Sequence, residues 1–399
     1  MQVIAARERI RDAIVMTPLV RSAGLRERFP CDVHLKMESL QRTGSFKDRG
    51  ALNRMLALSP EERQRGVVTA SAGNHAQAVA YHGSTLGIPV EVVMPEHTPL
   101  IKVANTRRFG AGVTFHGTTL SDSMVEARRI EKDEKRTLIH AYDDELVIAG
   151  QGTIGLELLE QIPEVTVIIV PIGGGGLISG IATAIKENRP EVRVIGVEAA
   201  AAASALASRK AGHVVSIETS DTIADGIAVK APGTYTFPII ERYVDDIVSV
   251  TEEQIADAVH VLLERQKILA EGAAATPLAA VLADLVQLKP SDVVTMIVSG
   301  GNIDVNLVGR IIDRGLVSDG RLARFTVAVP DRPGQLARLT QLVAGAGANV
   351  LEVSHGRAFA DISMRDVEID LDLETRGREH VAEILALLAA NGFTVTRRA

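Results

Sequence analysis

Four short stretches of this 399-residue sequence combine residue types that could do chemistry. Gly44-Ser45-Phe46-Lys47-Asp48-Arg49-Gly50 places a lysine after an aromatic ring, with glycines on both sides, where a loop would feed a helix over 51–57. An amine held in that way can serve as nucleophile or base, and the same pattern also suits a solvated lysine at a helix start. Gly173-Gly174-Gly175-Gly176-Leu177 follows an apolar run and precedes a helical pattern. Successive glycines let backbone N–H groups converge while the helix N-terminus adds its dipole, so the stretch predicts a cradle for a phosphate; a plain flexible turn is the alternative. Ser71-Ala72-Gly73-Asn74-His75-Ala76-Gln77 again joins a strand pattern to a helix pattern. Its small residues and free N–H groups suit a carboxylate, and Asn74 offers both donor and acceptor, though N-capping by Ser71 or Asn74 accounts for these residues equally well. Ser299-Gly300-Gly301-Asn302 supplies either a hydroxyl for a heterocycle nitrogen or a tight turn.

Such stretches act together only if regular elements converge them. The runs 67–70, 90–94, 113–115, 165–170, 192–197 and 293–298 are short and apolar, the pattern of strands buried on both faces. Helical spacing fills 74–86, 120–132 and 177–188. This alternation implies an α/β fold with parallel sheets covered by helices, and ligand sites beyond the carboxyl ends of the strands. Past Asp313 the pattern changes. The polar, glycine-bearing segment 314–324 reads as a linker, followed by strands at 325–329, 349–357, 364–373 and 393–396 and helices at 333–346 and 379–390. A βαββαβ module of that size suits regulation better than catalysis.

Composition narrows the function classes. At 46% hydrophobic and 23% charged residues the chain is globular, and its length predicts two or three domains. A net charge of −7 without a basic block argues against nucleic acid as partner and for small molecules. Cys31 is the only cysteine, which excludes an intrachain disulfide and fits a reducing compartment, the cytoplasm. Arg7, Glu8, Arg9, Arg11 and Asp12 interrupt the apolar residues of the N-terminal segment, unlike a signal peptide. The uncharged run 165–185 is 21 residues long, enough to span a bilayer, but Pro171 and four central glycines predict strand, loop and helix instead of a membrane segment.

A lysine, a phosphate cradle, a carboxylate-binding helix start and a neutral hydroxyl at separate strand ends together describe a site for pyridoxal phosphate. In order and spacing, Ser45-Phe-Lys-Asp-Arg-Gly-Ala51, the 71–77 and 173–177 stretches, Asp221-Thr-Ile-Ala-Asp-Gly226 and the 299–302 stretch resemble the threonine dehydratase branch of the fold-type II pyridoxal-phosphate enzymes over about residues 1–312. The tail, with Asp331-Arg-Pro-Gly-Gln-Leu-Ala337, resembles an ACT domain, an amino-acid-sensing module. The implied organisation is a catalytic domain of two interleaved α/β subdomains over 1–313, a linker over 314–324 and an ACT domain over 325–399.

Carried onto this sequence, the resemblance implies that Lys47 bonds the cofactor covalently and Phe46 packs beside its ring. Asn74 would meet the ring hydroxyl, the amides of Gly173, Gly174, Gly175, Gly176 and Leu177 the phosphate, and Ser299 the ring nitrogen. Ser71, Ala72, Gly73, Asn74 and His75 would bind the substrate carboxylate, with Lys47, Ser71 and Asn74 catalytic. Glu198, the carbonyl of Ala202 and Ser204 match the family's cation pattern, and serine at the last position points to potassium or ammonium. An amino-acid effector would bind near Arg332, Gly334, Gln335, Leu336 and Asn349, and a homodimer or homotetramer is expected.

The implied reaction is α,β-elimination on L-threonine, and on L-serine, to a 2-oxo acid and ammonia. Serine or aspartate racemisation and 3-hydroxyaspartate dehydration on the same fold are the alternatives. Racemases that resemble this chain carry serine where Ala72 stands, and a methyl group there returns no proton to Cα. A non-catalytic amino-acid sensor is the remote alternative.

Overall fold

The computed structural model describes residues 2–26, 28–356 and 365–398. They fall into two compact units, 1–303 and 304–399. In the first, β1 (Leu19–Arg21), β2 (Asp32–Met37), β3 (Val67–Ala70), β4 (Val90–Met94), β5 (Gly112–Phe115), β6 (Thr137–Leu138), β7 (Val167–Pro171), β8 (Arg193–Ala199), β9 (Asp246–Val250) and β10 (Val293–Val298) build two sheets. The larger has the order β1-β2-β10-β7-β8-β9 and is parallel except for the antiparallel edge β1; the smaller, β5-β4-β3-β6, is parallel throughout.

The central strands β3 and β7 are buried at every position, as strands packed on both faces must be. Ile154, Leu158, Ile168, Val170, Ile178, Ile181 and Val194 belong to the core of the larger sheet. Ala51, Met55, Val67, Ala76, Val79 and Val92 belong to that of the smaller. The helix Lys47–Leu56 begins four residues earlier than the expected start at 51, so Lys47 occupies its first turn. Gly50 would ordinarily weaken that turn. Here it is required, because a Cβ would lie 2.4 Å from Gln151 Nε2 and 2.8 Å from the Val147 carbonyl of the helix Glu145–Gln161.

The second unit opens with the helix Val305–Ser318, followed by β11 (Leu322–Pro330), the helix Gln335–Gly345, β12 (Asn349–Gly356), β13 (Asp366–Glu374), the helix Arg378–Ala390 and β14 (Thr394–Arg398). Its antiparallel sheet has the order β12-β13-β11-β14, the arrangement expected of a βαββαβ module. The expected linker over 314–324 is a correction: helix continues through Ser318 and strand resumes at Leu322. Ile311 and Gly315 give that helix a buried side, and Arg378 holds its last turn by donating to the Ser318 carbonyl, so a glycine-bearing polar sequence stays helical. The outer ends of two expected strands, Arg357 and Met364, lie outside the described residues.

Candidate active site

All four chemistry-bearing stretches follow parallel strands. Ser71 to Gly73 link β3 to the helix Asn74–Leu86, Ile172 to Gly175 link β7 to the helix Gly176–Lys186, and Ser299 to Asn302 follow β10. The Lys47 stretch is tied to the last of these: Phe46 N–H donates to the Ser299 carbonyl at 3.0 Å, Gly301 N–H to the Gly44 carbonyl at 2.9 Å, and Ser45 pairs with Gly300. A fifth segment, His140 to Asp143, follows β6 and had no motif to announce it.

Lys47 is half-buried, its Nζ 5.0 Å from the Phe46 ring centroid and donating to the Ala141 carbonyl at 2.7 Å. Burial pushes its ammonium down to about 8, against the opposing attraction of the Glu271 carboxylate. Phe46 itself packs on the core of the larger sheet.

The glycine loop has the geometry of an anion cradle. Gly175 adopts φ +92°, a conformation glycine takes without cost, and no side chain caps the helix that follows. The first N–H groups of that helix therefore point outward without an intrahelical partner. One wall is Tyr142, whose ring a Gly174 Cβ would approach to 2.3 Å. Asp143 anchors this wall, accepting from Thr234 N–H at 2.9 Å, Thr234 Oγ1 at 2.9 Å and Tyr235 N–H at 2.8 Å. Thr236 Oγ1 donates to the Gly174 carbonyl at 2.7 Å.

At the helix start, Ser71 Oγ accepts from Gly73 N–H at 3.2 Å, and nothing lies within 4 Å of the space a Gly73 Cβ would take. The backbone thus opens onto free space, as a carboxylate subsite needs. The Ala72 methyl is partly buried against the core of the smaller sheet. His75 turns inward: its ring is buried, Nε2 lies 3.0 Å from the Ile139 carbonyl, and burial beside Lys47 pushes it down to about 3. Only its backbone remains for a carboxylate. Asn74 Nδ2 donates to both Glu271 oxygens at 2.9 Å, while its Oδ1 accepts from Asn302 Nδ2 at 2.8 Å.

Glu198 ends buried beside the helix Ser204–Ala211, accepting from Ala205 and Leu206 N–H at 2.8 Å each. Burial pushes this carboxyl up to about 7. Glu198, Ala202 and Ser204 are all buried, Glu198 also accepts from the Ser204 N–H, and Ser204 Oγ has no hydrogen-bond partner. In the second unit the expected effector residues are not brought together. Asn349 pairs with Glu374 at one end of β13, whereas Arg332, Gly334, Gln335 and Leu336 follow Pro330, which pairs with Asp366 at the other.

The residues present fit pyridoxal phosphate: a desolvated amine, a glycine cradle that side chains would fill, and a buried Ser45 Oγ without a partner in the Lys47 stretch. A family model described as pyridoxal-phosphate dependent enzyme matches residues 10–300. The chain belongs to that family. Within it, an L-threonine ammonia-lyase of Thermotoga maritima is 47% identical over 98% of this chain and 97% of its own. The structure of a processed threonine deaminase isoform 2 from Solanum lycopersicum is similar at 36% identity and a TM-score of 0.74, covering 78% of this chain and 91% of that one. A serine racemase structure from Dictyostelium discoideum is similar at 38% identity and a TM-score of 0.72, covering 76% of this chain and 98% of that one. The Lys47 stretch and the glycine loop were both legible in the sequence. Glu271, Tyr142 and Asp143 were not; the one available signal was Glu271 as the only charge in the apolar stretch 268–282.

Proposed function

We propose that this enzyme converts L-threonine, and also L-serine, to the 2-oxo acid and ammonia by α,β-elimination. The observation that carries the reading is a near-neutral Lys47 amine in the cleft combined with a methyl group at Ala72. Pyridoxal phosphate, when bound, supplies an electrophilic carbonyl and a conjugated ring that takes up the electron pair from Cα. The cradle amides of 173–177 would hold its phosphate, Asn74 its ring hydroxyl and Ser299 its ring nitrogen. Lys47 takes the Cα proton, which its displaced basicity allows near neutral pH. The amides of 71–75 hold the substrate carboxylate. The β-hydroxyl leaves as water, and the enamine product takes water back on hydrolysis to 2-oxobutanoate and ammonia. Ala72 offers no group to return a proton to Cα, which favours elimination over racemisation.

Glu198, Ala202 and Ser204 would hold a monovalent cation, potassium or ammonium, which supplies the missing partner of Ser204 Oγ and favours the ionised form of Glu198. The second unit is read as an ACT-type sensor of an amino-acid effector. In the sheet order β12 is an edge strand, and it runs parallel to β11. Antiparallel pairing of β12 with its counterpart in a second copy would carry that copy's Asn349 to the Arg332 end, so the effector site would form only in a dimer or larger homo-oligomer. No described helix is long and apolar enough to cross a membrane, and a cytoplasmic setting suits the single, buried Cys31.

The test is 2-oxobutanoate formation from L-threonine with pyridoxal phosphate and potassium, beside a Lys47→Ala control and an L-serine sample. Turnover lost in the control is expected. D-enantiomer accumulating without oxo acid would replace the reading by racemisation. Titration of isoleucine and valine against threonine kinetics tests the sensor, with unchanged kinetics overturning it.

A further inference from the structure

We propose that Glu271 is a positioning residue of this site: its carboxylate holds the Asn74 amide in one orientation and supplies the counter-charge to Lys47. The inference deepens the elimination reading and rests on it for its kinetic consequence, but its electrostatic content concerns the chain alone.

Glu271 is the residue preceding the helix Gly272–Leu282, where a carboxylate ordinarily turns back to accept from the first backbone N–H groups. It makes no such cap. Its own N–H donates to the Gly300 carbonyl at 3.1 Å, and its carboxylate is directed instead to Asn74, both oxygens 2.9 Å from Nδ2. Room for that orientation is made by Gly300, where a Cβ would come within 2.5 Å of Glu271 Oε1.

Asn74 is thereby fixed from both ends. Asn302 Nδ2 donates to Asn74 Oδ1 at 2.8 Å and to the Thr43 carbonyl at 2.8 Å. An amide whose oxygen is occupied by one donor and whose nitrogen is occupied by a carboxylate cannot flip without losing both bonds. The remaining Nδ2 proton is then the group Asn74 can offer to a ligand, so the carboxylate decides that Asn74 acts as donor.

The charged groups that Glu271 feels are Lys47 and Lys102, which favour its ionised form, and Asp225, which opposes it; Lys102 and Asp225 are themselves paired at 2.5 Å. Around Lys47, His75 and His140 feel its charge and are held neutral by burial, which leaves Glu271 as the carboxylate acting on the amine. Burial pushes Glu271 up to about 7, so the counter-charge is present above neutrality, where Lys47 must shed its proton to act. Removing it lowers the Lys47 midpoint and makes the amine a weaker base.

The experiment uses the full chain and the variants Glu271→Gln and Glu271→Asp. Lys47 is titrated in the cofactor-free protein by competitive labelling with acetic anhydride and peptide mass spectrometry across pH. Glu271→Gln keeps the shape and an acceptor for Asn74 but removes the charge. Its Lys47 midpoint is expected to fall by about half a unit to one unit, so that labelling at neutral pH rises about 2.5- to fivefold. In the loaded enzyme kcat falls about tenfold with KM for threonine changed less than about threefold, and the pH profile moves with the midpoint. Glu271→Asp retains the charge and returns the midpoint toward wild type, and it serves in place of the glutamine variant should that one fail to fold, Lys47 then staying within about a third of a unit of wild type. Identical midpoints in wild type and Glu271→Gln, or a midpoint displaced as far by Glu271→Asp as by Glu271→Gln, overturn the proposal. A shifted midpoint in a protein that never turns over threonine would instead defeat the elimination reading and leave Glu271 as assigned.

Discussion

Two buried charged clusters lie on one helix, Lys47–Leu56, and they behave oppositely. Arg49, 1% exposed, donates to both oxygens of Glu38 at 2.8 Å and to both oxygens of Glu157 at 2.6 and 2.9 Å, with Thr153 Oγ1 at 3.0 Å and the Val15 carbonyl at 3.4 Å completing its set. Lys36 donates to Glu157 at 2.5 Å, to the Thr17 carbonyl at 2.8 Å and to Gln161 Oε1 at 2.9 Å. Two cations thus meet two carboxylates with nearly every donor used. Burial alone would raise Glu38, but Arg49, with Lys36 and the Thr17 hydroxyl, more than offsets it and holds this carboxyl below the usual range. Lys36 is the member that burial still pushes down. Two residues earlier on the same helix, Lys47 faces one carboxylate, Glu271, whose hydrogen bonds come from a neutral amide, and both groups are driven toward neutrality. Positions two apart on a helix point to different sides, so one turn serves both a fully paired structural network and an under-paired reactive one. Buried charge that is completely paired keeps its ionised form; buried charge left short of partners is driven toward the neutral one.

Separate removal of the two neighbouring cations gives the sharpest test. Lys47→Ala is expected to lower threonine turnover about 10⁴-fold or more while leaving thermal unfolding nearly unchanged; a variant that loses both would place Lys47 in the structural cluster. Arg49→Met strands Glu38 as a buried carboxylate and leaves Glu157 to Lys36 alone, which costs about 3–5 kcal/mol of stability by analogy with broken buried pairs, read by urea unfolding. A loss below about 1 kcal/mol there would break the comparison.

The clusters also predict opposite responses to pH. Glu271 has a folded value near 7 against 4.5 in the unfolded chain, so the native state binds its proton more tightly. Its contribution is complete below about 4.5 and is lost as pH rises through 7. Glu38, held low, contributes in the opposite sense: stability present above the ordinary carboxylate range is lost on acidification. Urea unfolding of cofactor-free wild type and Glu271→Gln across this range should show the variant gaining relative stability as pH rises; parallel curves would place Glu271 among the ordinary carboxylates. The smallest effect is expected for Thr153→Val, which removes one of Arg49's acceptors and should cost about 1 kcal/mol with turnover unchanged.

Much of the first unit was legible in the sequence because its strands are buried on both faces. At 67–70, 90–94 and 293–298 the apolar runs and the observed strands coincide, and the helix 74–86 agrees at both ends. Glycine-bearing turns at strand ends marked the cradle and the Asn74 helix start for the same local reason. The Lys47 helix start and the 314–324 segment were misplaced, since tertiary contacts at Gly50 and at the Ser318 carbonyl override local composition. Glu271 lies 197 residues from Asn74, and Glu157 lies 108 from Arg49. No periodicity spans such distances.

What the sequence determined by itself was the chemistry available: an amine, an anion cradle, a neutral hydroxyl and a methyl at Ala72, each set by residue type and short-range spacing. What only the tertiary structure decided was which charges are paired. Hydrophobic patterning specifies which faces are buried, whereas the charge state of a buried group depends on partners that chain topology brings within about 3 Å from anywhere in the sequence. Lys47 and Arg49 look alike in the string of residues, and the folded surroundings alone leave one short of charged partners and clamp the other between two carboxylates.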